Sequence, residues 1–160
     1  MAETAKLEVG AKAPAFTLKN QDDEKTALKD FAGQWVVLYF YPKDDTPGCT
    51  TEACEFTTNL KQFEKIGATV LGVSADDAAS HRAFIDKYKL KFPLLSDPDN
   101  TVMTKYGAYG TKMMYGKEVV GVIRSTFLID PQGKIAHAWP KVKAAGHAEK
   151  VAEKLAALAK

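Results

Sequence analysis

One stretch constrains the fold of this chain more than any other: the uninterrupted apolar run Trp35-Val36-Val37-Leu38-Tyr39-Phe40-Tyr41. It is strand-length and built from β-branched and aromatic residues, with no polar residue at alternate positions. A strand of that kind must be covered on both faces, which places it at the centre of a sheet with helices on either side. Residues 69–74 (TVLGVS) form a second such run. Residues 126–129 (TFLI) form a third, closed by the turn Asp130-Pro131-Gln132-Gly133, after which residues 134–139 read as the returning strand of a hairpin. Residues 14–19 and 25–28 form a short hairpin at the N-terminal end.

Helical patterns fill the gaps. Phe56, Leu60 and Phe63 recur at helical spacing in a helix that runs on to Gly67. Asp76 or Asp77 caps a second helix carrying Phe84, Ile85 and Tyr88, a short third one covers residues 101–106, and Val151, Leu155 and Leu158 give the last helix its apolar stripe. Strands alternating with helices and ending in a hairpin predict an α/β domain with a mixed central sheet.

At 160 residues the chain fits one domain, expected over residues 5–160. The 22 basic residues barely exceed the 20 acidic ones, which argues against the dense basic face of a nucleic-acid binder. No run approaches the ~20 apolar residues that span a bilayer, and the first residues contain no apolar signal segment, so a cytoplasmic protein is expected. Two cysteines do not make a disulfide framework. With three histidines, none near Cys49 or Cys54, a four-ligand zinc site is not expected, and the glycines form no phosphate-cradling pattern.

Chemistry concentrates after the central strand. Thr46 followed by Pro47 is a helix-start signature, a hydroxyl N-cap and then proline at the first helical position. Cys49 then falls in the first turn, where unpaired backbone N–H groups and the helix dipole favour a thiolate. Thr46 can offer its hydroxyl to the sulfur or to an oxygen of a bound substrate. Arg124 lies just before an apolar strand. A buried arginine there needs a partner: the Cys49 thiolate, or in a plainer alternative a salt bridge to Glu52 or Asp45.

Pro42, Thr46 and Cys49 spell Pro-x-x-x-Thr-x-x-Cys, the motif of the peroxiredoxins. The string YFYPKDDTPGCT over residues 39–50 resembles the Q-type subfamily, also called bacterioferritin comigratory protein. So do Leu95-Ser96-Asp97-Pro98, Met114-Tyr115-Gly116-Lys117, residues 124–130 (RSTFLID) and Gly146-His147. The resemblance runs from about Leu7 to the C-terminal helix. It implies a thioredoxin-like fold with an N-terminal extension, and reduction of hydrogen peroxide and organic hydroperoxides without metal, haem or flavin. It also implies a monomer recycled by thioredoxin or a similar dithiol. Cys49 would be the peroxidatic cysteine, Cys54 its resolving partner, Thr46 and Arg124 its activating residues and Pro42 its shield. One position departs from the pattern: Thr57 stands where relatives often carry arginine, so a second cation would have to come from elsewhere, with Lys43 the candidate.

Residues five apart in a regular helix are separated by roughly 8.7 Å between Cα atoms, beyond the ~7 Å a disulfide tolerates. A Cys49–Cys54 disulfide therefore requires the first two turns to unwind, and threonines 50 and 51 resist this weakly. Alternatively, Cys54 is a core residue beside Phe56 and Leu60. Asp44 and Asp45 read as solvated loop carboxylates, with a general-acid role as the sharper alternative, and His81, His137 and His147 as surface or structural residues. Trp139, Tyr109 and residues 113–115 are candidates for a hydrophobic wall over the site. Three functions compete: a thiol peroxidase, a general disulfide oxidoreductase, and a redox-responsive binding module. The second lacks the Cys-x-x-Cys spacing it would use.

Overall fold

The computed structural model describes residues 8–159, without the side chain of Met114. Of the domain expected over 5–160, residues 5–7 and 160 lie outside the described residues. The N-terminal hairpin is β1 (Thr17–Lys19) with β2 (Lys25–Ala27). The chain continues through β3 (Trp35–Phe40), α1 (Pro47–Thr58), α2 (Leu60–Ile66), β4 (Ala68–Ser74) and α3 (Ala78–Tyr88). Then follow β5 (Leu94–Ser96), α4 (Thr101–Lys105), β6 (Tyr109–Met114), β7 (Lys117–Val122), β8 (Ser125–Ile129), β9 (Ile135–Trp139) and α5 (His147–Leu158).

Seven strands form one mixed sheet in the order β2-β1-β5-β4-β3-β8-β9. The long apolar run sits inside it, parallel to β4 on one side and antiparallel to β8 on the other. The hairpin of β1 and β2 extends the sheet through an antiparallel bridge from Lys19 to Ser96 in β5. Successive β3 side chains point to opposite faces. Val37, Tyr39 and Tyr41 enter a layer with Phe56 of α1, Phe63 of α2, Phe84 of α3 and Val151 and Leu155 of α5. Val36, Leu38 and Phe40 enter the opposite layer with Met103, Tyr106, Phe127 and Ile129. Every residue from Val36 to Tyr41 is at most 1% exposed, the two-sided burial that the unbroken apolar pattern demands.

Several local details differ from the sequence expectations. The helix expected to run unbroken to Gly67 stops at Asn59 and restarts. The Thr58 hydroxyl donates to the Cys54 carbonyl and the Asn59 amide to the Glu55 carbonyl. Such side chains compete for the last carbonyls of a helix and end it. Asp77, not Asp76, caps α3, accepting from Ser80 N. Leu158, expected in the buried stripe of α5, is 37% exposed, because the last turn of the helix overruns the core. Three strands escaped the sequence reading. β5 has only three residues, and β6 and β7 pair as a separate hairpin whose tip, Tyr115-Gly116, holds both residues at positive φ.

Candidate active site

The site forms where β3 ends and α1 begins. Thr46 is extended at the N-cap position, Pro47 opens the helix, and Thr50 N donates to the Thr46 carbonyl at 2.8 Å. Cys49 is thus the third helical residue, and it is 1% exposed. The Thr46 hydroxyl differs from expectation: it caps no helix N–H but donates to the Lys43 carbonyl at 2.8 Å. That bond consumes its proton and leaves its oxygen as an acceptor.

Arg124 reaches this helix start from the segment between β7 and β8. Nη2 donates to Cys49 Sγ at 3.3 Å and Nη1 to Glu52 Oε1 at 2.6 Å. The two partners weighed from the sequence are therefore held together by one planar fork. Gly48 makes room for it: a Cβ there would lie 3.1 Å from Arg124 Nη2. Glu52 is fully buried and its Oε2 has no hydrogen-bond partner among the described residues. Burial pushes its carboxyl up to about 7, outweighing the downward pull of Arg124. Glu52 entered the sequence reading only as a salt-bridge alternative. Its position three residues after Cys49, on the same helix face, was the signal for a shared site.

Residues 9–138 match the AhpC/TSA family. The chain belongs to the AhpC/TSA family. Putative peroxiredoxin bcp of Coxiella burnetii is 51% identical over 149 residues, covering 93% of this chain and 99% of that protein. Peroxiredoxin Bcp of Xanthomonas campestris is 47% identical, with 98% of each chain covered. A solved Xylella fastidiosa peroxiredoxin Q variant superposes with a TM-score of 0.91 at 44% identity, covering 98% of this chain and 99% of its own. The chain is a peroxiredoxin with a thioredoxin-type fold, and its activity is that of a thiol-dependent peroxidase. The family implies a peroxide substrate and a thiol reductant, which favours the thiol peroxidase over the general disulfide oxidoreductase and the redox-responsive binding module.

Both cysteines of this peroxiredoxin are free thiols within α1. Cys54 is partly buried against the helical core layer, and burial pushes its thiol up. Pro42 and Lys43 are exposed in the loop, and Arg124 is the cation within hydrogen-bonding reach of Cys49 among the described residues. The Thr57 hydroxyl faces Lys91 N, at 3.4 Å.

The hydrophobic wall is not built as expected. Met113 and Tyr115 are 67% and 97% exposed, because the β6–β7 hairpin stands apart from the main sheet. The Met114 side chain lies outside the described residues. Trp139 packs on the helical layer edge-on to His147, and Tyr109 packs against the opposite layer. His147 is buried, bonds Thr126 Oγ1 at 2.8 Å, and is lowered to about 4 by burial and by the nearby Lys150 and Arg124 charges. His81 is fully buried, and His137 is half-buried beside Trp139. Asp45 is solvated as expected, but Asp44 is 7% exposed and turned inward. Among the described residues no helix is long and apolar enough to cross a membrane.

Proposed function

We propose that Cys49 is the peroxidatic cysteine, acting on hydrogen peroxide and organic hydroperoxides. The observation that carries this reading is the Arg124 Nη2 contact to Cys49 Sγ, 3.3 Å long, in the first turn of α1. Helix N–H groups and guanidinium together favour negative charge on sulfur. The thiolate attacks the terminal peroxide oxygen, an S–O bond forms as the O–O bond breaks, and the departing oxygen takes a proton to leave as water or an alcohol. Arg124 stabilises charge moving onto that oxygen. The Thr46 oxygen is free to accept from the incoming hydroperoxide, and Pro42 takes the shielding role that the family resemblance implies.

Cys54 then attacks the Cys49 sulfenic acid, forming a disulfide and releasing water. Both cysteines lie in α1, so the roughly 8.7 Å between their helical Cα atoms must shorten to below ~7 Å by local unwinding. A dithiol such as thioredoxin reduces the disulfide and restores both thiols. The Xanthomonas campestris bacterioferritin comigratory protein, whose solved structure concerns alkyl peroxide reduction, shares 46% identity and a TM-score of 0.87. We place the enzyme in the cytoplasm as a monomer, with no nucleic-acid or membrane partner.

The test compares Cys49→Ser, Cys54→Ser and the parent. Cys49→Ser should fold and lose peroxide turnover. After one equivalent of peroxide, mass spectrometry should find an added oxygen in Cys54→Ser and a loss of two hydrogens in the parent. Turnover by the Cys49→Ser protein overturns the peroxidatic assignment, and identical products in the other two overturn the resolving one.

A further inference from the structure

The loop between β3 and α1 is fastened from below by groups that the peroxide chemistry does not use. Asp44 Oδ1 accepts from the Tyr41 hydroxyl at 2.5 Å. Asp44 Oδ2 accepts from Ser80 Oγ at 2.8 Å and faces His81 Nδ1 at 2.7 Å. The other ring nitrogen of His81 lies 2.9 Å from the Leu95 carbonyl oxygen. A carbonyl only accepts, so His81 Nε2 carries a hydrogen. Nδ1 and a carboxylate oxygen 2.7 Å apart need a hydrogen between them as well. The ring is thus tied at both ends, to β5 through Leu95 and to the loop through Asp44. Burial, then the neighbouring Tyr39 and Asp44, push the Tyr41 phenol upward, so its hydroxyl keeps its proton and donates.

Two further ties act on the same loop. Asp44 N donates to Asp76 Oδ2 at 2.8 Å, and the same oxygen accepts from Ser74 Oγ at 2.7 Å. Asp45 adopts the left-handed φ of 60°, uncommon for a residue with a Cβ, and its carboxylate is held by Lys87 at 2.8 Å and Tyr88 at 2.6 Å. Potential ligand atoms of Asp44, Asp76 and His81 lie within 4.8 Å of one another, but these groups are already joined in a hydrogen-bond network. Thr46 is the next residue of the loop, and Cys49 lies three residues further on. A loop pinned at 44 and 45 presents the Thr46 hydroxyl and the first turn of α1 in one place.

We infer that the Asp44–His81 pair is a positioning element for the peroxide step, holding the loop so that Thr46 and Cys49 meet the incoming hydroperoxide together. The inference rests on Cys49 being the attacking atom. Asp44 and His81 make their hydrogen bonds to Tyr41, Asp76, Ser80, Leu95 and each other, and not to Cys49 or Arg124, so the pair acts through the loop. Unwinding of α1 for disulfide formation takes place beyond the pinned residues. The pair therefore governs attack on peroxide and leaves the resolving step alone.

Two substitutions at one position separate the halves of the ring. In His81→Asn the amide nitrogen takes the place of Nδ1 and can still donate to Asp44. In His81→Gln it takes the place of Nε2 and reaches Leu95 instead. Stopped-flow tryptophan fluorescence on the reduced proteins should resolve two rates, one linear in hydrogen peroxide and one independent of it. His81→Gln should lose about ten- to a hundredfold in the first, the scale on which slight misplacement acts. His81→Asn should recover most of that loss, at an equal thermal midpoint, with the peroxide-independent rate retained in both. Equal peroxide rates in the two variants, or a loss confined to the peroxide-independent step, overturn the positioning role. If His81→Gln does not fold, Asp44→Asn replaces it: it keeps an acceptor for Tyr41, loses the one facing His81 and Ser80, and should show the same loss, a parental rate being the overturning result. Peroxide consumption by Cys49→Ser would instead refute the assignment of the attacking atom, whatever the His81 variants do.

Discussion

Glu52→Gln should change how stability depends on pH, in a direction and by an amount that follow from the burial of one carboxyl. Glu52 is fully buried, bonded to Arg124 Nη1 through Oε1, with Oε2 unpartnered among the described residues. Burial, opposed by Arg124, moves its carboxyl from an ordinary 4.5 to about 7. The folded protein then keeps this proton up to about 7, while the unfolded chain releases it near 4.5. Between those values the folded state binds more protons, so stability falls as pH rises. At 1.36 kcal/mol per tenfold, the full loss is about 3 kcal/mol, most of which falls between about pH 5 and pH 8. Glutamine offers the same oxygen to Arg124 and has no proton to lose. Urea denaturation of the reduced proteins at the two pH values gives the stability difference between variant and parent, in which every other titrating group cancels. That difference should move in the variant's favour by about 2 kcal/mol on going to the higher pH. A difference that does not change with pH refutes the argument from burial. A change of the opposite sign means that the Arg124 attraction outweighs desolvation and Glu52 is ionised throughout.

Disulfide formation should speed amide exchange across α1, by at least about tenfold at residues 50–58, because local opening sets the exchange rate; unchanged protection means that the bond forms without unwinding. Arg124→Ala should lower the peroxide rate constant by about 10²–10³-fold, the usual cost of removing one preorganised donor. Arg124→Lys should restore only part, since lysine carries the charge without the fork that spans Glu52 and Cys49; full recovery with lysine would show that charge alone matters. Gly48→Ala places a Cβ 3.1 Å from Arg124 Nη2 and so displaces the guanidinium. Alanine is also the better helix former by about 1 kcal/mol, so this variant should lose peroxide rate while its thermal midpoint holds or rises. An unchanged rate would show that the arginine has room to spare.

Local physics wrote much of this protein openly in its sequence. The central strand was legible because two-sided burial requires an unbroken apolar run, and Val36 to Tyr41 are buried accordingly. The start of α1 was legible because Thr-Pro at a helix N-terminus and a cysteine in the first turn are matters of backbone hydrogen bonding within a few residues. The contacts of Arg124 with Cys49 and Glu52 were legible because a guanidinium approaching an apolar sheet needs a partner there. The β6–β7 hairpin was not, since its strands are not buried on an apolar face and show no clean alternation.

Only the tertiary structure decided what the polar side chains do. Asp44 and Asp45 are adjacent and identical in kind, yet one is sealed against His81 and the other lies on the surface beside Lys87 and Tyr88. No property of a dipeptide separates them, because what separates them is the packing of α3 beneath the loop, 36 to 43 residues along the chain. The same holds for Glu52, whose carboxyl is lifted to about 7 by its surroundings and held by an arginine 72 residues away. Burial and distant charge act through space, so they exist only once the chain has folded.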